Sequence, residues 1–302
     1  MGLFSRKPKA AATSPSVNAD NVTASAGSAA PAAPFVPPTT PDSPASLVNN
    51  TLVQEAVQEG WAKEQNYVTM FRVLRQCTTG ELLLDITAST IADPSKGFQQ
   101  GDTLAVGQVV DVAGKRLLLA FTSNERLAQY LAGAAPVSLG QPTTAVLKQA
   151  MTEYEGIAID AGSPETMFIA HSEEIARALT PDPTVNEPLK TALVLQKPFP
   201  ELLSLAAAAE VIFIATKEER DEAGEIARIF VPHVIDPNGE RFTPAFTSPA
   251  EVWAWDTELN ARPTRFANIV RASLEDGHNG VVINPGGVSP RIPSADLQPF
   301  AQ

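Results

Sequence analysis

Residues 104–123 read LAVGQVVDVAGKRLLLAFTS and residues 229–248 read IFVPHVIDPNGERFTPAFTS, and this pair decides the architecture. Laid over one another without a gap, at an offset of 125 residues, they agree at nine of twenty positions. The matches are Val106/Val231, Val109/Val234, Asp111/Asp236, Gly114/Gly239, Arg116/Arg241 and the whole block Ala120–Ser123 over Ala245–Ser248. A second agreement follows in the same order at an offset of 124, where GIAIDAG (residues 156–162) lies over GVVINPG (residues 280–286). Two ordered agreements at nearly one offset indicate an internal duplication, and a duplicated supersecondary unit sets the fold before any single residue does.

Outward from this block, each copy reads as α+β, a mixed sheet with helices. A helical pattern opens the first copy over Leu52–Lys63 and the second over Pro188–Leu195. Apolar runs with strand character follow, Met70–Gln76 and Leu82–Ile86 in the first copy and Glu210–Ala215 in the second. The aligned block is a hairpin in both: Val231–Ile235 and Arg241–Phe246 flank Asp236-Pro237-Asn238-Gly239, whose Asn-Gly is a strong turn signal, and Gly114 is kept in the first copy. Ser248-Pro249-Ala250-Glu251 has the form of a capping box with proline at N1, and Ser123 holds the same cap position. A helix over Thr144–Glu153 (Arg265–Glu275 in the second copy), a closing hairpin and a short last helix complete the unit. Thr180-Pro181-Asp182-Pro183 is the expected linker, which divides the chain into domains at 48–183 and 184–302.

Residues 1–47 are of another composition. They hold eight prolines and eleven alanines, with few large apolar side chains, and are expected to form a disordered tail that cannot bury enough surface to order itself. The tail has three basic and two acidic residues, which leaves 19 basic against 32 acidic in the rest, so the net charge of −12 belongs to the folded part. Such an excess repels phosphate backbones and anionic lipid and argues against general nucleic-acid binding. No apolar stretch approaches the roughly 20 residues of a membrane span. Cys77 is the only cysteine, which excludes an internal disulfide and a thiolate zinc cluster and suits a cytoplasmic protein.

The stretch Gly239–Ser248 (GERFTPAFTS) followed by a helix, and then Gly280–Pro293 with its Asn284-Pro285-Gly286-Gly287 turn, closely resembles the SseB N-terminal domain family, named from "enhanced serine sensitivity". The first copy keeps Gly114, Arg116 and Ala120–Ser123 but has Asp160-Ala161-Gly162-Ser163 at the closing turn, so it reads as a diverged copy and the second as the family-typical one. The family has no established catalytic activity or ligand, so the resemblance assigns neither.

The residues offer few candidates for chemistry. Thr122-Ser123 and Thr247-Ser248 lack the strained elbow and matching histidine of a nucleophilic serine, so Ser248 is expected to cap a helix, with contact to a bound ligand at the helix N-terminus as its candidate binding role. Arg116 and Arg241 recur in both copies and are expected to bridge to Asp111 and Asp236; they are also the best candidates for binding an anionic ligand or a partner carboxylate. His171, His233 and His278 fall at unmatched places with no second ligand at helical spacing, so no metal is expected. No nucleotide-binding loop occurs, and no cofactor is implied. Trp253 and Trp255 stand two apart where the first copy has Ala128 and Tyr130, so one tryptophan is expected to be partly exposed and to serve as a protein-contact hot spot. The expected function is a non-enzymatic, cytoplasmic binding or regulatory module with an unidentified protein partner. The two copies would pack as a pseudo-symmetric pair and the second would carry the active surface. The alternative is a small-metabolite sensor, or less readily an enzyme, with a pocket between the copies lined by Arg116 or Arg241.

Overall fold

The structure is a computed structural model and describes residues 48–92, 99–132, 136–162, 165–287 and 289–301. The tail expected over residues 1–47 lies outside them, as does Ser163.

In the first copy, Asn50 caps helix α1 (Thr51–Ala56) through its side chain, and the helix runs on as a π-turn over Val57–Trp61. Then come α2 (Tyr67–Gln76), β1 (Glu81–Asp85), β2 (Gln108–Val110), β3 (Arg116–Phe121), α3 (Asn124–Tyr130), β4 (Ser138–Pro142), α4 (Thr143–Thr152), β5 (Gly156–Ile159), β6 (Phe168–His171) and α5 (Ser172–Leu179). The strands form one sheet in the order β4-β1-β3-β5-β6, with β2 on β3; β3 and β5 are parallel and the other pairs antiparallel.

Residues 70–76, expected as a strand, are helical. Asn66 and Thr69 close a reciprocal capping box at the start of α2, and Met70, Phe71, Val73 and Leu74 are buried with Cys77 at a spacing that lines one helix face. Start signal and period together outweigh the local β-propensity of the run. Cys77 therefore ends a helix and not a strand; burial pushes its thiol up to about 12, which leaves it inert.

The second copy repeats the plan with α6 (Glu187–Val194), α7 (Phe199–Ala208), β7 (Ile212–Arg220), β8 (Ile226–Phe230), β9 (Val234–Ile235), β10 (Arg241–Ala245), α8 (Pro249–Trp255), β11 (Asn260–Thr264), α9 (Phe266–Glu275), β12 (Gly280–Ile283), β13 (Arg291–Pro293) and α10 (Ser294–Leu297). Strands β13-β12-β10-β9 and β11-β7-β8 are joined where Phe213 and Phe246 exchange both backbone hydrogen bonds, at 2.8 and 2.9 Å. Leu83 pairs with Phe121 at the same place in the first copy. Thus β11, β7, β10, β12 and β13 repeat β4, β1, β3, β5 and β6, and β9 repeats β2. Only β8 has no counterpart strand among the described residues.

One turn chemistry serves all three hairpins of this kind. Asp111 Oδ1 accepts from the Ala113 and Lys115 amides at 2.8 and 2.9 Å, Asp236 Oδ1 from Asn238 and Glu240 at 2.8 and 2.9 Å, and Asp221 Oδ1 from Ala223 and Glu225 at 2.9 and 3.0 Å. In each, the third residue after the aspartate is a glycine at φ between +81 and +86°, a conformation that costs a side-chain-bearing residue. The turn is therefore Asp-x-x-Gly; Asn238 beside Gly239 is not in the left-handed region. Asp221-Glu222-Ala223-Gly224 has the same pattern and joins β7 to β8.

Candidate functional site

The copies meet where α2 of the first packs on α8 of the second, with α5 against the same helix. Phe71 lies 4.7 Å from Trp253, and the Arg177 guanidinium sits over both the Trp253 ring (5.2 Å) and the Tyr67 ring (6.0 Å). Trp253 is held in this orientation by its Nε1–H, which donates to the Leu259 carbonyl at 3.1 Å. Beside it lies a charged knot. Arg75, in the last turn of α2, donates through Nη1 to the Gly286 carbonyl (2.9 Å) and to Glu251 Oε2 (3.4 Å), and Lys190 on α6 donates to Glu251 Oε1. Glu251 is 1% exposed and Lys190 7%.

Two cations share one carboxylate in this knot. Burial, with the Arg75 charge second, pulls the Lys190 ammonium down to about 7, and burial also lowers Arg75. Glu251 is the contact that favours the charged form of both. The Asn284-Pro285-Gly286-Gly287 turn, which carries the family resemblance of the second copy, thus receives a side chain of the first.

The packing is head-to-tail. In a pseudo-symmetric pair α7, the counterpart of α2, would pack on α3, the counterpart of α8; those helices show no comparable packing among the described residues. The reason lies in the residues. By alignment, Ala207, Arg126 and Ala128 stand where Arg75, Glu251 and Trp253 stand in the used interface, so the second pairing has neither the ion pair nor the aromatic contact.

The residues singled out from sequence are scattered. Trp253 is half-buried in the seam, and Trp255 is half-buried within the second copy, 5.5 Å from Phe246; the two do not form one outward patch. Arg116 and Arg241 are exposed at equivalent strand starts, and neither bridges to the expected acid. Asp111 instead meets His171 Nε2 at 2.9 Å and Asp236 meets Arg291 Nη1 at 3.3 Å. The two arginines share a backbone role: their amides donate to the side chains of Glu155 (2.9 Å) and Asn279 (3.0 Å), which are equivalent positions.

Ser248 does not close the capping box. Its Oγ is buried and without a hydrogen-bond partner among the described residues, because the Glu251 amide is taken by the Ser248 carbonyl (3.2 Å) and the Glu251 carboxylate by Lys190 and Arg75. Ser123 does cap its helix, accepting from the Arg126 amide at 3.3 Å.

The closing turns differ less than their sequences. Asp160 and Asn284 both adopt left-handed backbone, at φ +51 and +50°. Asp160 accepts from the Thr122 amide (2.7 Å) and hydroxyl (2.6 Å); Asn284 accepts from the Thr247 amide (2.9 Å) and donates to its hydroxyl (2.9 Å). Burial raises the Asp160 carboxyl above its ordinary value, and the Thr122 bonds offset only part of that.

Sequence reasoning missed Arg75, Lys190 and Gly286. Lys190 had one signal, a lone lysine inside the apolar run of α6. The other two become visible only when the copies are docked. Groups of three or more metal-ligating side chains are absent among the described residues, and no helix of theirs is long and apolar enough to cross a membrane.

Fold and site together define a duplicated α+β scaffold locked head-to-tail through one charged and aromatic seam. The chain belongs to the SseB family: the model of the SseB protein N-terminal domain matches residues 54–176 and again 189–297, once in each copy. No curated protein and no solved structure matches the chain.

Proposed function

We propose that this chain is a non-catalytic, cytoplasmic module of the SseB family that binds a protein partner or regulates one, with the second copy as its contact surface. The observation that carries this reading is where exposed apolar side chains fall. Of nine large hydrophobic residues exposed among the described ones, only Val112 and Val137 belong to the first copy. The other seven form two groups on the second: Val194, Leu195 and Phe199 at the α6–α7 corner, and Ile226, Ile229, Val231 and Ile235 along β8 and β9. Scattered single residues need no explanation, but two clusters on one half of a duplicated scaffold point to contact surfaces. A shallow groove of ≈ 390 Å³ beside Leu195 and Leu205 adjoins the first group.

The metabolite-sensor alternative needs a pocket between the copies, and there the buried Arg75–Glu251–Lys190 knot and Trp253 occupy the seam. The test is affinity capture from native lysate with the full chain, an Ile229→Lys/Ile235→Lys variant and a Leu195→Glu/Phe199→Glu variant. A stoichiometric partner lost in one variant and kept in the other supports the module and identifies its face. A partner retained by both, or none captured by the wild type, refutes a contact surface on the second copy.

A further inference from the structure

β8 is the end strand of β11-β7-β8, so one of its edges pairs with β7 and the other carries backbone N–H and C=O groups with no strand beside them among the described residues. An open, apolar edge of this kind is a template for another strand. Natural sheets blunt such edges by shortening, covering or bulging them. Here the one register shift inserts Ala227 into β8 as an extra residue, since Ile226 and Arg228 face the consecutive Arg220 and Glu219, so the regular part of the open edge begins at Arg228. Residues 226–229 of β8 are all exposed, and because the extra residue Ala227 lies between them Ile226 and Ile229 point to the same face of the ribbon, opposite Arg220 and Glu218, with Val231 beyond them.

Charge narrows what fits. Between Lys217 and Arg228 the hairpin has three basic and five acidic residues. Lys217 is paired with Glu258, Arg220 and Arg262 with Glu218, and Arg228 stacks over Phe230 at 4.2 Å. Asp221 caps its own turn, while Glu219, Glu222 and Glu225 form no ion pair among the described residues. The surplus along the edge is negative, in a chain of net charge −12, so a second copy of the same acidic hairpin is a poor complement.

We propose that the outer edge of β8 receives an extended segment of a partner protein in which apolar and basic residues alternate. The backbone ladder supplies affinity, Ile226, Ile229 and Val231 take the apolar side chains, and Glu222 and Glu225 take the basic ones. This rests on the reading of the chain as a protein-binding module and names which of its two apolar groups does the binding.

The probe is a fluorescein-labelled nonapeptide of alternating lysine and valine, titrated into the full chain by fluorescence anisotropy. Amide exchange is followed in parallel. Three further probes are the same peptide N-methylated at alternate residues, one with glutamate for lysine, and one of the same composition with proline at its centre. Expected are binding by the first peptide only, slowed exchange confined to the 212–230 hairpin, and a loss of about tenfold or more in affinity for Ile229→Lys and for Glu222→Lys/Glu225→Lys. Both variants alter exposed residues, and an unchanged melting temperature establishes that each still folds. Equal binding of the N-methylated peptide would overturn the proposal, since adhesion by charge alone needs no ladder; so would protection elsewhere on the surface, or no binding. A chain that sediments as a dimer, and as a monomer in Ile229→Lys, would overturn it in favour of a second copy on the edge. If a lysate partner depends on Leu195 and Phe199 but not on Ile229, the strand proposal fails while the binding module stands.

Discussion

The two copies share a topology and differ in which of their faces is used. On the first, the outer face of α2 presents Tyr67, Phe71 and Arg75 and is covered by α8, while α3 is a polar helix with Arg126 and Ala128 at its surface. On the second, α8 is the covering helix, while α7 has Phe199, Leu203 and Ala207 at the positions of Tyr67, Phe71 and Arg75, of which Phe199 and Ala207 are exposed and Leu203 is buried in that copy's own core. A head-to-tail contact between identical units would propagate into a filament. Here the residues that make the contact exist only on the two faces that meet, so the series stops at two. Duplication supplied the scaffold, and divergence at a few surface positions determined which copy docks and which remains open.

The sharpest way to break the comparison is at the knot. Glu251→Gln leaves Arg75 and Lys190 buried without their carboxylate and is expected to cost about 3–5 kcal/mol in chemical denaturation, whereas Arg126→Gln at the equivalent position of the first copy should stay within about 0.5 kcal/mol. A cost below about 1 kcal/mol for Glu251→Gln would show that the copies do not depend on the knot. The triple change Arg75→Leu/Lys190→Met/Glu251→Leu removes all three charges together and should restore most of the loss, because the expense lies in an unpaired buried charge and not in the missing pair.

Next in size is the aromatic contact. Trp253→Ala strips the Phe71 and Arg177 contacts and is expected to cost about 2–3 kcal/mol, less than full burial would give because the ring is half-exposed. Trp255→Ala should cost less and leave the seam intact. In differential scanning calorimetry the Trp253 variant should split the single transition into two as the copies uncouple; one unsplit transition would mean that they fold as a unit without this side chain.

The fold was largely legible because the duplication repeated every strand of the common sheet, so that each weak signal could be checked against its twin. Where the twin carried no matching signal in the sequence, or did not exist, the reading failed. Residues 70–76 read as a strand because their apolar run hides a helical period, and the capping pair Asn66 and Thr69 lies just outside the run. The β8 strand has no counterpart and falls between the expected strands Glu210–Ala215 and Val231–Ile235, where no repeat could reveal it. The site was legible only in part. Trp253 stood out as an aromatic without a twin, but its role depends on Phe71 and Arg177, 182 and 76 residues away in the chain. Glu251 was visible as a capping acid because local reasoning has no access to Lys190 and Arg75, which claim its carboxylate through the tertiary fold.

A further test uses the aspartate that the copies share. Asp111 faces His171 and Asp236 faces Arg291, so only the first contact titrates near neutral pH. The Glu174 bond first and the Asp111 bond next outweigh burial and raise the His171 pKa above its ordinary value. On Asp111, burial opposes ionisation, but the His171 bond and the Lys115 and Ala113 amides prevail and hold it below the carboxylate range. A histidine raised by folding contributes stability that is complete below its unfolded pKa of about 6.5 and is lost as pH rises through the folded value. His171→Gln should therefore cost about 1–2 kcal/mol at pH 5.5 and progressively less toward pH 9, while Arg291→Gln should show no such trend. Parallel pH profiles for the two variants would refute the assignment.

The smallest expected effect separates the two copies most cleanly. Ser123 and Ser248 align, both precede a short helix, and both look like N-caps; only Ser123 makes the bond. Ser123→Ala should cost about 1 kcal/mol, the usual worth of a cap. Ser248→Ala removes a buried hydroxyl that has no partner, so it should be neutral or slightly stabilising, since the hydroxyl carries a desolvation cost with no bond in return. In the Glu251→Gln background the side chain at 251 is no longer a carboxylate held by Lys190 and Arg75, and it is free to turn back to the Ser248 amide and re-form the capping box. There the Ser248→Ala change should acquire a cost that it lacks in the wild type, a coupling that a double-mutant cycle measures directly. Additivity of the two changes would mean that the Ser248 hydroxyl is unpaired for a reason other than the diversion of Glu251 into the seam.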